Sequence, residues 1–315
     1  MIDTIFIVLM ALIVAIVIFR YARPRQFLRL LMLGARRIMG FRTRSIAIDG
    51  VDWPYLDSGN APGGVVILLH GFSGDKDNWP LYGRNLAKDY RVIIPDLPGF
   101  GDNARDPHGD YSMDAQARWL LGFADAMGID RFHVAGNSMG GYIALKFVLA
   151  YPDRVLSLGL LNNAGVLGKT KSELQIATEN GESLLTVATP EEFDRLLAFV
   201  VHRSMPLPGF IKQPYCEDLI ANQPFLEAIF WAMAEEVLDQ PLNDRLHTIA
   251  APTLIIWGRH DRLIDVSCTD VMKAKIPNSQ RVVFEETGHV PMLERPVESA
   301  AAHLDFLNEL RAATP

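Results

Sequence analysis

Cysteine is scarce in this chain: Cys216 and Cys268 are the only two in 315 residues. They have neither CxxC spacing nor a metal-ligand pattern around them, which argues against a disulfide framework and a structural zinc site. Internal repeats are absent, and glycine (24) and proline (19) stay near ordinary usage, which excludes a disordered or collagen-like chain. Positive charge is sparse over most of the length. Eight of the 30 basic side chains but one of the 37 acids precede Ser45, leaving 22 against 36 and a body of net charge −14. Such a body is repelled by phosphate backbones, so nucleic acid is excluded as a partner. What is present is apolar material, 49% of residues, enough for a sizeable core. The length fits two units or one α/β body with an inserted subdomain.

Every residue from Ile5 to Phe19 is apolar. As a helix this run covers about 22 Å, and extended from Ile2 to Tyr21 it reaches the ~30 Å of a hydrocarbon core. The segment before the run carries Asp3 and no Lys or Arg, and no A-x-A site follows it. An uncleaved single-pass transmembrane helix over 1–22 is therefore favoured over a cleaved signal peptide. Residues 23–44 predict a basic juxtamembrane helix after Pro24, with Arg25, Arg29 and Arg36 on one stripe. That stripe is expected to face anionic headgroups while Leu28, Leu31 and Met32 sit deeper; the other reading is a linker helix packed on the body. Ala11 and Ala15 form a small-xxx-small pair of the kind that brings two helices together. The arginine collar favours a cytoplasmic body, but long domains translocate against such a bias, so the side stays open.

After residue 44, β-branched runs alternate with helix-period segments. The strands are expected at Val65–Leu69, Arg91–Pro95, Arg131–Ala135, Val155–Leu161, Thr253–Trp257 and Arg281–Phe284, with an antiparallel edge pair at Ser45–Ile48 and Val51–Tyr55. This alternation predicts an α/β fold: a mainly parallel central sheet with helices on both faces. The rhythm breaks near Gly165, where Thr189-Pro190-Glu191-Glu192 starts a helix and Phe193–Val201 and Phe225–Val237 carry helical periodicity. The expected organisation is a first core part over 45–164, an inserted helical lid over 165–248 and a second core part over 249–315.

The strand at 131–135 runs into Gly136-Asn137-Ser138-Met139-Gly140-Gly141 and then a helix, the strand–turn–helix context that a G-x-S-x-G nucleophile requires. A serine hydroxyl needs a base. His289, in Thr287-Gly288-His289-Val290-Pro291 just after a predicted strand, is the candidate. The base needs a carboxylate to fix its tautomer. Asp261 follows its strand in the right chain order; Asp265 is the competitor, and the loop after Leu161 offers only Asn162 and Asn163. Oxyanion donors are expected from the backbone N–H groups of Met139 and Phe72, the latter in His70-Gly71-Phe72-Ser73-Gly74. His70 and Gly71, with Phe230 and Trp231 of the lid, are the expected substrate-binding residues. His133 reads as structural.

Taken together these segments resemble the α/β-hydrolase superfamily over most of the chain after residue 44. HGFSG, GNSMGG, the stretch Leu254 to Ser267 and the N-terminal anchor look like the membrane-anchored monoacylglycerol lipases. They are similar too to bacterial cytoplasmic-membrane phospholipases A. The resemblance implies the triad Ser138, Asp261 and His289, oxyanion donors Phe72 and Met139, and no metal or organic cofactor. It further implies membrane lipids as substrates, released fatty acids as products, residence in the cytoplasmic (inner) membrane and a homodimer through the membrane and juxtamembrane helices. GNSMGG also occurs in soluble hydrolases that cleave carbon–carbon bonds of ring-fission products. Three functions follow. The first is lipid-ester hydrolysis, with Phe193, Leu197, Phe225, Ile229, Phe230 and Trp231 lining an acyl tunnel. The second is carbon–carbon bond hydrolysis, against which the anchor argues because a soluble substrate gains nothing from tethering. The third is a non-catalytic membrane receptor, weakened by the intact Ser, Asp, His set.

Overall fold

The computed structural model describes residues 2–48, 50–204 and 206–313; within the first helix its side chains are described at positions 5, 6, 9, 10, 14 and 17–22. Helix α1 (Ile2–Ala22) gives way to α2 (Pro24–Ile38) at the Arg23-Pro24 step. A proline cannot donate into the preceding turn but is suited to the first position of a new helix. Next come β1 (Arg42–Ile48), β2 (Val51–Asp57), β3 (Val65–Leu69), α3 (Pro80–Leu86), β4 (Arg91–Pro95), α4 (Met113–Ala126), β5 (Phe132–Asn137), α5 (Met139–Ala150) and β6 (Val155–Leu161). Four helices are inserted there: α6 (Glu173–Glu179), α7 (Pro190–Val200), α8 (Gly209–Ala221) and α9 (Gln223–Asp239). The chain closes with β7 (Thr253–Gly258), α10 (Cys268–Lys275), β8 (Ser279–Phe284), α11 (Pro291–Glu294) and α12 (Pro296–Ala313).

The eight strands lie in the order β1-β2-β4-β3-β5-β6-β7-β8. Both contacts of β2 are antiparallel and the rest of the sheet is parallel. The central strands are buried on both faces, which is why their sequences read as unbroken Val/Ile/Leu runs. Alternate side chains serve opposite cores. Ile67, Leu69, Ile93, Val134, Leu160, Ile255 and Trp257 join one cluster, with α4, α5 and the inserted helices. Val66, Leu68, Val92, Ile94, Leu161, Leu254 and Ile256 join the other, with α3 and α12.

Of the inserted helices, α7 and α9 correspond to the two periodic stretches in the sequence. Helix α8 was not legible there, since it has no one-sided apolar stripe and carries Pro214 inside it. Among the described residues no helix is long and apolar enough to cross a membrane. Seven of the fifteen apolar side chains from Ile5 to Phe19, those of Ala11 and Ala15 included, lie outside the described residues.

The expectation for α2 needs correction. Within its arginine stripe Arg36 faces the protein, while Arg25 and Arg29 stay exposed. Arg36 is buried and forks onto Asp77, with Nε to Oδ1 at 2.7 Å and Nη2 to Oδ2 at 2.5 Å. Arg25 pairs with Glu217 at 2.9 Å, and Arg29 adds to the positive field that lowers the pKa of Asp102. Leu28 is buried beside them, while Leu30, Leu31 and Ile38 point outward. The acidic body attracts its own basic collar, and Arg36, the arginine buried deepest against it, is satisfied there.

Candidate active site

Strand β5 ends at Asn137 and α5 begins at Met139, so one residue makes the whole turn. Ser138 adopts φ 55°, ψ −119°, a left-handed conformation unusual for a side-chain-bearing residue. The turn closes only because its neighbours have no side chains. A Cβ on Gly136 would lie 2.2 Å from the Gly140 carbonyl oxygen, and one on Gly140 2.3 Å from that of Leu69. The Ser138 N–H donates to Leu161 O at 3.1 Å, and its carbonyl accepts from Tyr142 and Ala164 at 3.0 Å each.

His289 arrives from the loop after β8. Its Nδ1 lies 2.8 Å from Oδ2 of Asp261. An ionised carboxylate only accepts, so Nδ1 carries the proton and Nε2 presents its lone pair. Asp261 is held independently, its Oδ1 accepting from the N–H groups of Leu263 (2.8 Å) and Ile264 (3.0 Å). Asn137 Nδ2 donates to His289 O at 3.0 Å, tying the His289 backbone to the residue before Ser138. Asp265 instead caps its own turn, accepting from Ser267 N at 2.9 Å, and makes no bond to His289. The geometry therefore selects Asp261 over Asp265 as the carboxylate behind the imidazole.

The loop after β3 lies against Ser138: a Cβ on Gly71 would be 3.1 Å from that of Ser138. Among the described residues the N–H groups of Phe72 and Met139 donate to no protein acceptor, as oxyanion donors must. His70 is fully buried and both its ring nitrogens are engaged, Nδ1 with Gly71 O at 2.8 Å and Nε2 with the Leu97 N–H at 3.0 Å. Burial lowers its pKa, partly opposed by the Asp96 carboxylate, so its part is to brace this loop.

Charged groups brace the same loop from behind. Lys76 Nζ reaches Asp96 at 2.6 Å and Asp102 at 2.7 Å. Burial disfavours its charge, but these two carboxylates more than offset that and its pKa is raised. Burial, reinforced by the Asp77 and Asp96 charges, pushes the Asp75 carboxyl up to about 7. Asp75 also accepts from Tyr215 of α8 at 3.1 Å. The run Asp75-Lys76-Asp77 was visible in the sequence, but nothing local identified its partners.

Ser138 opens into a mostly apolar cavity lined by Leu174, Leu185, Phe230, Met233, Val237 and Leu263. Of the six lid residues expected to line an acyl tunnel, Phe230 does so. Phe193 and Ile229 are buried in the core, and Leu197, Phe225 and Trp231 pack against it, because the apolar stripe of a short helix is first used to attach it. Phe230 also meets Phe72 edge-on at 5.9 Å between centroids, linking lid and loop. Cys268 borders the cavity, and burial pushes its thiol up to about 12, so it is no nucleophile. Among the described residues no group of three or more His, Cys, Asp or Glu side chains is placed to hold a metal ion.

Comparison with known proteins agrees with this geometry. The family profile described as the alpha/beta hydrolase fold matches residues 64–296. The crystal structure of a membrane phospholipase A, described as a bacterial virulence factor, superposes with TM-score 0.87 at 38% identity over 99% of both chains. Lipase 1 of Psychrobacter immobilis is 35% identical over 82% of this chain and 81% of its own. Monoacylglycerol lipase ABHD6 of Homo sapiens is 30% identical over 90% of this chain and 87% of its own.

Proposed function

The chain belongs to the alpha/beta hydrolase family, and from that premise we propose that it is a membrane-associated carboxylic ester hydrolase acting on lipids through an acyl-enzyme at Ser138. The observation that carries this is the Asp261–His289 pair, tied through Asn137 Nδ2 to the residue before Ser138, with Ser138 itself lining an apolar cavity. His289 Nε2 takes the hydroxyl proton as Oγ attacks the ester carbonyl. Asp261 steadies the imidazolium, and the Phe72 and Met139 amides receive the oxyanion. The imidazolium then protonates the departing alcohol. Water, activated by the same imidazole, releases the fatty acid and frees the serine. The cavity receives the acyl chain, favouring a fatty ester over a soluble dienone acid.

The substrates are phospholipids, lysophospholipids or monoacylglycerols. Lipases and a membrane phospholipase A among the relatives support this reading. Helix α1, 21 residues long, would extend about 32 Å and serve as a single-pass anchor in the cytoplasmic membrane. The outward Leu30, Leu31 and Ile38 of α2 suit the acyl boundary beneath it. Two copies pairing through α1 and α2 belong to the same reading.

The test is fatty-acid release by the detergent-purified full chain from a panel of these lipids. Ser138→Ala and His289→Ala should each lower it by about 10⁴–10⁶. Release by Ser138→Ala at the wild-type rate, or turnover confined to a ring-fission product, would refute the assignment.

A further inference from the structure

We propose that Asn162 is a positioning residue for the acid–base pair, orienting the Asp261 carboxylate toward His289; this rests on the triad reading given above. Asn162 directly follows β6 and is fully buried in a left-handed conformation, φ 46°. Asparagine is one of the few side-chain-bearing residues that adopts this conformation readily. Its N–H donates to Ile256 O at 3.1 Å, fixing it to the neighbouring strand β7.

From that position one amide group joins three segments. Nδ2 donates to Asp261 Oδ2 at 2.7 Å and lies 3.3 Å from Gly288 O, while Oδ1 accepts from the Gly258 N–H at 3.4 Å. The end of β7, the acid and the loop carrying the base therefore meet at a single side chain. The Oδ1/Nδ2 assignment follows from the partners: a carboxylate and a carbonyl only accept, and a backbone amide only donates.

Asp261 Oδ1 is already committed to two backbone amides. The other oxygen, Oδ2, is the one that accepts the hydrogen bond from the imidazole Nδ1–H, and Asn162 is its second donor. A neutral donor fixes the plane of the carboxylate without cancelling the negative charge that steadies the imidazolium. A second carboxylate there would share a proton with Asp261, since like charges at this distance do not both ionise. Asn162 does not border the substrate cavity, so its effect falls on the chemical step rather than on binding.

The experiment measures kcat and KM on a soluble short-chain ester, with thermal unfolding as a control, for the full-length detergent-purified protein and two variants. Asn162→Gly suits the positive φ and removes only the side chain; Asn162→Asp keeps the shape and adds charge. Both should lower kcat by about 10- to 100-fold with KM within about twofold, the size expected when a catalytic group is misoriented rather than lost. Wild-type kcat in either folded variant overturns the proposal, as does a loss seen in KM alone. Asp261→Asn separates this from the underlying reading. If it retains wild-type kcat, the triad itself fails; if it is inactive while Asn162→Gly is not, only the positioning role fails.

Discussion

Replacing Arg36 by alanine tests whether helix α2 is an integral part of the folded body or merely a tether. The Arg36–Asp77 fork has side chains only 9% and 7% exposed. Arg36 also donates to Thr43 Oγ1 at 3.2 Å. Burial works against the guanidinium charge, but the Asp77 hydrogen bonds and the Asp102 and Asp75 carboxylates outweigh it, and its pKa is raised. Removing one partner leaves the other charge buried and uncompensated, which costs about 3–5 kcal/mol. At roughly 2–4 °C per kcal/mol, unfolding should occur about 6–20 °C lower. The loss should not be confined to stability. Asp77 belongs to the turn whose Asp75 caps the segment after Phe72, so turnover of a soluble ester should fall at temperatures where the variant is folded. The double variant Arg36→Ala/Asp77→Asn should be more stable than Arg36→Ala alone, because the orphaned charge is gone. Differential scanning fluorimetry in detergent, with ester turnover at 20 °C, reads both. An Arg36→Ala protein that unfolds within about 1 °C of wild type, or a double variant weaker than the single one, would refute the reasoning.

Truncation follows the same logic. A chain starting at Pro24 keeps α2 and should stay folded and hydrolyse soluble esters. One starting at Ser45 loses the fully buried Phe41 and half of β1 and should be recovered misfolded or inactive; equal specific activity of the two would contradict this. Acid stability depends on two buried histidines. Burial pushes His133 down to about 4, and burial with the His133 charge pushes His303 down to about 3. Both are neutral in the fold, so their contribution is complete above the unfolded value near 6.5 and is lost as pH falls toward 4 and 3. Between pH 7 and 5 each should cost about 2 kcal/mol. Asp75 has the opposite sign, its raised pKa favouring the fold as pH falls below about 7. The comparison is therefore between wild type and His303→Gln, whose unfolding temperature should fall less steeply over that interval; parallel slopes would refute it.

Much of the site could be read before any coordinates. Gly136, Ser138 and Gly140 lie within five residues, and the collision of a Cβ with backbone one turn away is a local fact. The strands were legible because burial on both faces leaves unbroken apolar runs. His289 and Asp261 were found by their positions just after strands, and chain order did the rest. Helix α8 was missed because its residues carry no apolar stripe, and Asn162 was considered only as an acid that it cannot be. Phe193, Phe225 and Trp231 serve the core where the cavity is expected, and Arg36 meets Asp77 where a headgroup is expected.

These differences share one cause. Conformation at a turn, the period of a strand and the chemistry of a side chain are set within a few residues, so the chain itself determined the sheet and the turn that presents Ser138. Whether Arg36 meets a lipid phosphate or Asp77, whether Phe193 lines a cavity or fills the core, and what an amide at 162 donates to depend on segments tens to more than a hundred residues away. Buried charges and hydrogen-bond donors take whichever partner the folded chain brings within about 3 Å, and that selection was made only by the tertiary structure.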